Sequence, residues 1–276
     1  MIILNEIITG RNNPKIKWAA SLSDKKYRSE YGFFIAEGEK LALEAIDTGL
    51  NIKCIFISEG KRTEMLSLLQ RASADIKLKD TEIITVSESV FEKISTEKAP
   101  QGIICIIKYL DFLKYTDIIY KEEFFSSPEE RALILCSLRD PGNLGTVIRS
   151  ATAFGVDHII LSGDSADVYN PRTVRAAMGG LFRTKISVAS DICKVIECAR
   201  QLGRKVYAAE LTDRAVSILD MDIDKSDILI IGNEGHGIPS EVSDKCDGSV
   251  YIPISKKSES LNAAVAAAVF MWEQSK

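Results

Sequence analysis

Three segments in the second half of the chain combine turn residues with polar side chains, each just after an apolar run typical of a buried strand. They are residues 140–149, residues 232–239 and residues 252–262. In open α/β sheets, ligands bind outside the carboxyl ends of the strands. The three segments are therefore candidates for the walls of one binding site, although a capped helix or a tight turn would also explain each segment alone.

The first segment places a cation near a helix start. Asn143 is a candidate cap for the helix that follows, while Gly145 and Arg149 are four residues apart and so share one helical face. A glycine on that face allows a ligand or another backbone to come close. The Arg149 guanidinium could then bind a phosphate or stabilise negative charge developing on an oxygen. A well-capped surface helix with a solvated arginine is the alternative.

The second and third segments suit a polar ligand. Gly232, Gly235 and Gly237 surround a carboxylate, Glu234, in the spacing GxxGxG, which differs from the GxGxxG dinucleotide fingerprint and lacks the Lys-Ser/Thr of a P-loop. The third segment leads into the last helix, which Ser258 or Ser260 could cap, and the free N–H groups of a helix start can hold polar ligand atoms.

In this order, the three segments resemble the motifs of the SpoU (TrmH) family of RNA ribose 2′-O-methyltransferases, in the SPOUT superfamily. Residues 170–180, with Arg175 and Gly179-Gly180, are similar to the family's segment between its first two motifs. One departure is that Ala263-Ala264 follows the Ser-Leu-Asn where the family has a valine and a small polar residue. The matching motifs are Asn143-x-Gly145-x-x-x-Arg149, Gly232-x-Glu234-Gly235-x-Gly237-Ile238, and Ile252-Pro253-Ile254 with Ser260-Leu261-Asn262.

The resemblance implies an α/β protein of two domains. A C-terminal α/β trefoil-knot (SPOUT) methyltransferase domain over residues 131–276 would follow a linker, residues 109–130, and a smaller L30e-like α/β substrate-binding domain, residues 1–108. The N-terminal similarity, less specific, is carried by Phe34-Ile35-Ala36-Glu37-Gly38. The family is dimeric with active sites drawn from both chains, so a homodimer is implied, with the terminal helix and its Trp272 a candidate for the interface.

The resemblance also implies S-adenosylmethionine as the cofactor and assigns roles to single residues. The family assigns activation of the ribose hydroxyl to Arg149, but an arginine with a pKa above about 12 is better suited to clamp a phosphate. The implied catalytic residues are Asn143, Arg149, Glu234, Ser260 and Asn262. The implied cofactor-binding residues are Leu211, Gly232, Asn233, Gly235, Ile252, Ile254 and Leu261.

Basic side chains are concentrated in two places. Residues 11–28 hold six basic residues and one acid, with Trp18 and Tyr27 among them, and residues 168–185 hold four basic residues and no acid. Such patches can follow a phosphate backbone and stack a base, although a solvated helical face is the alternative. The residues expected to bind RNA are Lys15, Lys25, Lys26, Arg28, Arg172, Arg175 and Arg183.

Apolar periodicity predicts the elements that must position these residues. Short β-branched runs alternate with helical patterns, which is typical of an α/β protein. The predicted strands are residues 33–36, 52–57, 83–86, 102–108, 132–136, 158–161, 205–209, 228–231 and 250–254. The predicted helices are residues 40–48, 61–74, 88–94, 144–154 and 261–273, with another beginning at Asn170-Pro171. The apolar stripe of the last helix comprises Leu261, Ala264, Val265, Ala268, Val269 and Trp272.

Composition narrows the class of protein. The 276 residues carry a net charge of −4, with no long apolar run and no signal-peptide pattern, so we expect a cytoplasmic protein without a membrane segment. The six cysteines form no CxxC pair and are expected to be reduced, and no metal site is expected.

We favour ribosomal RNA as the substrate, with a guanosine one option for the target. A transfer-RNA 2′-O-methyltransferase and a non-catalytic RNA-binding ribosome assembly factor are the alternatives, while a Rossmann-type oxidoreductase lacks its early glycine-rich turn.

Overall fold

The computed structural model describes residues 2–3, 6–72, 78, 81–111, 113–116, 124–233 and 235–276. They form two compact units, Met1–Leu110 with Asp167–Arg183, and Asp111–Ala166 with Thr184–Lys276. Each unit is built on its own sheet, so the α/β class expected from the sequence is confirmed. Segment 167–183 belongs to the first unit, whereas the sequence placed it within one continuous domain from residue 131.

The first unit contains a mixed five-stranded sheet in the order β1-β4-β3-β5-β2. Strands β1, β3 and β4 run parallel, and β5 runs antiparallel to β2 and β3. The strands are β1 (Ile2–Ile3), β2 (Phe33–Glu37), β3 (Ile52–Ser58), β4 (Glu82–Val86) and β5 (Ile103–Lys108). The helices are α1 (Pro14–Ser21), α2 (Lys25–Tyr31), α3 (Glu39–Asp47), α4 (Arg62–Arg71), α5 (Glu88–Ile94) and, from the later segment, α7 (Pro171–Ala177).

Segment 167–183 is bound to the first unit by charge and by aromatic packing. The buried guanidinium of Arg28 is 2.6 Å from the carboxylate of Asp167, and it also donates to the Leu22 and Ser23 carbonyls. Tyr169 stacks on Tyr109 with ring centroids 3.9 Å apart. The expectation that Arg28 contacts RNA is therefore wrong for this conformation, because its side chain is 2% exposed and its charge is already paired.

The second unit contains an eight-stranded parallel sheet in the order β11-β13-β10-β12-β7-β8-β9-β6. The chain order reverses beside β7, whose neighbours are β8 on one side and β12 on the other. The strands are β6 (Leu113–Thr116), β7 (Ala132–Leu135), β8 (His158–Ser162), β9 (Lys185–Ala189), β10 (Val206–Ala209), β11 (Val216–Ser217), β12 (Ile228–Ile231) and β13 (Gly248–Tyr251). The helices are α6 (Pro141–Phe154), α8 (Ile192–Gln201), α9 (Ser240–Ser243) and α10 (Ala263–Gln274).

Helix α6 begins three residues earlier than its apolar pattern predicts. Asp140 is the N-cap, since its side chain accepts from the Asn143 backbone N–H, and Pro141 occupies the first turn. Gly155 ends the helix in the left-handed conformation. The prediction that Asn143 caps this helix is therefore wrong, and its side chain is left for another contact.

Helix α10 buries a different face from the one its sequence suggests. Asn262, rather than Ser258 or Ser260, is the N-cap, accepting from the Ala264 and Val265 backbone N–H groups. Val265 and Trp272 of the predicted stripe are each 50% exposed. The helix is apolar around most of its circumference, and the residues it buries are Ala263, Ala264, Ala267, Phe270, Met271 and Gln274.

A polar cluster is buried at the amino ends of β8 and β9. The His158 ring is fully buried, with Nε2 2.8 Å from Ser187 Oγ, and Lys185 Nζ lies 3.1 Å from Glu130 Oε1. Burial, reinforced by the charges of Lys185 and Arg204, lowers the pKa of His158 to about 2. The ring is therefore neutral, although Glu130 Oε1 lies 3.5 Å from Nδ1.

Other features expected from the sequence lie partly outside the described residues. Each of the nine predicted strands overlaps an observed one, but β13 ends at Tyr251, so Ile252 and Ile254 lie in a loop. Of the connector, residues 112 and 117–123 are not described, and a strand, β6, lies at 113–116. Among the described helices, none is long and apolar enough to span a bilayer. A knotted passage of the chain remains a prediction.

Candidate active site

Four neighbouring parallel strands deliver the candidate site residues to one edge of the second sheet. Strands β13, β10, β12 and β7 are adjacent and parallel, so their carboxyl ends meet at the same edge. The loops that leave this edge carry the three segments singled out in the sequence. Because the chain order reverses between β12 and β7, this edge is where an open α/β sheet offers a ligand crevice.

A cavity of about 560 Å³ opens at this edge, within the range of small-molecule sites. Ser260 lies at its wall with the cofactor residues named from the sequence, except Gly235, which is absent from the lining. The cofactor residues in the wall are Leu211, Gly232, Asn233, Ile252, Ile254 and Leu261. The other wall residues are Ala209, Glu210, Ile231, Gly237, Val250, Tyr251, Pro253, Glu259, Ala263, Ala266 and Phe270.

The turn after β12 folds back so tightly that only glycine fits at its start. A Cβ at Gly232 would lie 2.5 Å from the Gly237 carbonyl carbon and 2.7 Å from the Ile238 nitrogen, both backbone atoms. The turn is closed by two backbone hydrogen bonds between Asn233 and Gly237. Residue 234 lies outside the described residues, so the role expected of Glu234 remains a prediction.

Asn233 ties this turn to the loop that follows β7. Its Oδ1 accepts from the Gly235 and His236 backbone N–H groups, and its Nδ2 donates to the Ser137 carbonyl at 2.8 Å. Ser137 has a φ of 57°, which is uncommon for a residue with a side chain. The hydrogen bond to the Ser137 carbonyl therefore links the second motif to the loop that leads into the first motif.

A carboxylate fixes the same β7 loop from the other side. Asp164 accepts hydrogen bonds from Ser162 Oγ at 2.7 Å, from Ser137 Oγ at 3.0 Å and from Arg139 Nη2 at 3.0 Å. Burial alone would raise the pKa of Asp164, but these hydrogen bonds outweigh it and lower the pKa to about 2. The ionised carboxylate therefore holds the loop that leads into α6.

The first and third motifs meet through two asparagines. Asn262 Nδ2 donates to Asn143 Oδ1 at 3.0 Å, where helix α10 packs against helix α6. Ser260 lies two residues before Asn262, exposed at the cavity wall, with its carbonyl accepting from Ser258 Oγ at 3.0 Å. The structure thus joins Asn143 and Asn262 in the groove between α6 and α10, while Ser260 lies in the cavity wall, and the catalytic roles expected of all three remain predictions.

Arg149 lies outside the cavity wall of its own chain. It is exposed on α6, six residues beyond Asn143, while Leu144, Val147, Ile148 and Ala151 bury the opposite side of the helix. Thr146, three residues before Arg149 and so its neighbour on the helix surface, lines a groove between α6 and α10. Arg149 therefore borders this groove rather than the cavity.

The groove between α6 and α10 is a shallow apolar surface of about 400 Å³. The exposed surface of the groove is mainly apolar, although four polar residues, Asn143, Thr146, Ser150 and Asn262, also line it. Val265 and Trp272 are half exposed there. The groove-lining residues are Asn143, Thr146, Ser150, Asn262, Ala264, Val265, Ala268, Val269 and Trp272.

The basic residues expected to contact RNA have different environments. Lys25 and Lys26 are exposed at the start of α2 and have no ion pair within the described part of the chain. Lys15 is paired with Glu82 at 2.5 Å, Arg175 with Glu97 and Arg183 with Glu44. Arg172 is exposed near the start of α7. Of these residues, Lys25 and Lys26 are the ones most available to a phosphate.

Two carboxylates in the cavity wall, Glu210 and Glu259, were missed from the sequence. Glu210 directly follows β10, and a polar residue at a strand's carboxyl end is the signal that could have found it. Glu259 directly precedes the Ser-Leu-Asn of the third motif. Among the described residues, no group of three His, Cys, Asp or Glu side chains could hold a metal ion.

Known proteins resemble this chain along its whole length. A 23S rRNA (guanosine(2553)-2′-O)-methyltransferase, RlmP of Bacillus subtilis (strain 168), is 29% identical over 265 residues, covering 96% of this chain and 97% of the relative. A 23S rRNA (uridine(2479)-2′-O)-methyltransferase of Streptomyces viridochromogenes is 27% identical, covering 96% and 90%. The crystal structure of an AdoMet-bound rRNA methyltransferase from Sinorhizobium meliloti has a TM-score of 0.80 and 30% identity, covering 99% and 97%.

Family models divide the chain between two domains. The MRM3-like substrate binding domain matches residues 13–105, and the SpoU rRNA methylase family matches residues 130–272, which hold all three motifs. The chain therefore belongs to the SpoU rRNA methylase family, as its motifs predict.

Proposed function

We propose that this protein transfers a methyl group from S-adenosylmethionine to a ribose 2′-hydroxyl of 23S ribosomal RNA. The observation that carries the proposal is the junction of the three motifs: the glycine turn and the third-motif loop form one cavity, and Asn262 joins that loop to Asn143 of the first motif. Membership of the SpoU family confirms the enzyme class and the cofactor predicted from the motifs.

The cavity suits S-adenosylmethionine in shape and in charge. Without a Cβ at Gly232 the turn can close on Gly237, so both glycines contribute backbone to the cavity wall, and apolar side chains such as Ile231, Val250 and Phe270 can cover an adenine ring. Two carboxylates and no lysine, arginine or histidine are found among the described wall residues. This charge distribution favours a cationic sulfonium over its neutral product.

The mechanism requires orientation and proton removal. When bound, the cofactor supplies an electrophilic methyl group on a sulfonium. Asn143 and Asn262 fix each other at the helix junction, and Ser260, two residues before Asn262, lies at the cavity wall, where it can position the ribose. Holding the hydroxyl in line with the methyl group supplies a large part of the rate enhancement. Arg149 would clamp the adjacent phosphate and stabilise the ribose oxygen as it releases its proton to solvent and bonds to the methyl carbon, whose bond to sulfur breaks.

We further propose that the active protein is a homodimer and that the groove between α6 and α10 receives a second copy. The half-exposed Trp272 and Val265 would be buried there, which removes apolar surface from water. Arg149 borders this groove and is absent from the cavity wall of its own chain, so a dimer would let it complete the partner's site. An active site shared by two chains agrees with the dimeric arrangement that the resemblance of the motifs to the SpoU family implies.

We propose that exposed lysines of the first unit, Lys25 and Lys26, contribute to RNA binding. The MRM3-like substrate binding domain covers both residues. Guanosine is the first base to test, since RlmP acts on a guanosine, while the Streptomyces relative acts on a uridine. A cytoplasmic location is part of the proposal, because ribosomal RNA is the substrate class.

Mapping of 2′-O-methyl groups in ribosomal RNA from cells with and without this protein tests the proposal. We expect one 23S position to lose its methyl group in the deletion strain and to regain it on complementation. Transfer of labelled methyl to purified transfer RNA, but not to ribosomal RNA, would favour the transfer-RNA alternative. Binding of the cofactor without transfer to either RNA would favour a non-catalytic assembly factor.

A further inference from the structure

We propose that Glu210 binds the ribose hydroxyls of S-adenosylmethionine, an inference that rests on the proposed function of the cavity. Glu210 is the first residue after β10 and lies in the cavity wall. None of the three motifs includes this residue. It therefore adds a carboxylate to a cofactor site that the motifs describe through backbone and apolar groups.

The Glu210 carboxylate is held in place by two serines. Ser243 Oγ donates to Oε1 at 2.5 Å, and Ser249 Oγ donates to the same oxygen at 2.7 Å. The backbone N–H of Glu210 donates to the Val250 carbonyl at 3.0 Å. Oε2 receives no hydrogen bond from the described residues. One oxygen is thus anchored, and the other is available to a donor in the cavity.

Two hydroxyl groups are suitable donors for such a carboxylate. A half-buried carboxylate with an unsatisfied oxygen is stabilised by a ligand O–H, and charge-assisted O–H···O⁻ bonds are short and strong. A carboxylate after a strand performs this task for the ribose of a dinucleotide in Rossmann folds, for the same reason. The cofactor carries both a ribose diol and an α-ammonium group, so the two must be distinguished.

Burial along the cavity favours the ribose. Ile231, Val250 and Phe270 are at most 3% exposed and suit the adenine. Glu259 is exposed in the third-motif loop and suits the charged methionine end, while Glu210 is half buried between these extremes. The polarity of the cofactor increases in the same order, from the adenine through the ribose to the amino acid. When the exposure of the cavity residues is matched to the polarity of the cofactor, the ribose lies at Glu210.

Calorimetry on the full chain with three ligands distinguishes a ribose hydroxyl from an α-ammonium group at Glu210. S-adenosylmethionine, S-adenosylhomocysteine and 5′-methylthioadenosine all contain the ribose, but 5′-methylthioadenosine lacks the amino-acid part. We expect Glu210→Gln to weaken the binding of all three by about tenfold, the loss of one charge-assisted hydrogen bond. The matched control, Glu259→Gln, should weaken the first two ligands and leave 5′-methylthioadenosine unchanged.

Two results would overturn the assignment. A loss confined to the ligands with an amino-acid part would place the α-ammonium at Glu210, and unchanged affinity for all three would remove Glu210 from the site. If the glutamine variant fails to fold, Glu210→Asp, which keeps the charge but shortens the reach, should show the same equal loss. Failure of the unaltered protein to bind S-adenosylmethionine would instead refute the proposed function.

Discussion

Asn262 makes two kinds of hydrogen bond from opposite ends of one side-chain amide. Its Oδ1 accepts from the Ala264 and Val265 backbone N–H groups and so caps α10, while its Nδ2 donates to Asn143 Oδ1 at 3.0 Å. A single side chain therefore both begins the last helix and joins the third motif to the first. The two tasks can be separated, because only the second needs a donor.

Asn262→Asp should retain the helix cap and abolish the link to Asn143. An aspartate accepts from the helix N–H groups as well as asparagine does, but it has no donor and places an oxygen against Asn143 Oδ1. We expect kcat to fall by about 100-fold, because a small misplacement of the ribose relative to the methyl group costs about this much in rate. Thermal unfolding and steady-state methylation assays check the two parts. Loss of stability without loss of kcat would contradict this assignment.

Gly232→Ala should displace the turn that forms one wall of the cavity, because the added Cβ would lie 2.5 Å from the Gly237 carbonyl carbon. Overpacking of this kind costs about 1–3 kcal/mol and must move the loop. We expect affinity for S-adenosylmethionine to fall by more than about tenfold, or 1.4 kcal/mol. Gly235→Ala is the control, since its Cβ would meet a single side-chain oxygen at 3.4 Å. Equal affinities for both variants would show that the turn does not contact the cofactor.

Mixed dimers test whether Arg149 acts across the proposed interface. Arg149→Ala should be inactive alone, and Gly232→Ala should be nearly inactive when S-adenosylmethionine is kept far below the dissociation constant of that variant. In a heterodimer, the intact cavity of one subunit meets the Arg149 of the other, so random mixing of equal amounts should restore about one quarter of the sites. Co-refolded mixtures are assayed for methyl transfer. Activity that stays at the level of the separate variants would place Arg149 in its own chain's site, and an active Arg149→Ala protein would remove it from the mechanism.

Charge reversal at the start of α2 should weaken RNA binding. Lys25→Glu with Lys26→Glu removes two exposed cations that have no ion pair in the part of the chain the structure describes. The slope of log K against log salt should become shallower by about 0.7 to 0.9 for each phosphate that the protein no longer neutralises. Filter binding at several salt concentrations measures this slope. Lys53→Glu is the control, because Lys53 is an exposed lysine of β3. An unaltered slope would show that these lysines face away from the RNA.

The buried His158 should make the protein less stable in acid. Its folded pKa of about 2 lies below the unfolded value of about 6.5, so below pH 6.5 the unfolded chain binds a proton that the folded chain does not. The free energy of unfolding should therefore fall by about 1.4 kcal/mol for each pH unit between pH 6 and 4. Denaturant titrations measure the slope, which His158→Gln should reduce by that amount. An equal slope in the variant would assign the acid sensitivity to other groups.

Local signals in the sequence predicted most of the second sheet and its site. The strands ending at Leu135, Ile231 and Ala209 are short β-branched or apolar runs, and the polar residues after them line one edge because parallel strands share their direction. The cap of α6 was misplaced by three residues, although the Asp140-Pro141 pair carries the correct signal. Asn143 was therefore predicted to cap α6, whereas its side chain accepts a hydrogen bond from Asn262.

Long-range contacts explain what the sequence could not predict. The pairing of Arg28 with Asp167 joins residues 139 positions apart, and the concentration of basic residues in segment 11–28 gives no sign of it. The apolar pattern of α10 covers too much of the helix to say which face packs within the chain. Sequence spacing also assigned no role to Glu210, since two serines from separate elements, Ser243 and Ser249, orient its carboxylate.

The Arg28–Asp167 pair has a consequence for how this protein can be divided. Expression of residues 1–110 alone would leave the Arg28 guanidinium without its carboxylate in an apolar interior, and an uncompensated buried charge is strongly destabilising. The first unit is therefore discontinuous in sequence and includes residues 167–183, which lie between the first two motifs. Chimaeras that exchange RNA specificity between relatives need crossover points on both sides of residues 167–183, as well as one near residue 110.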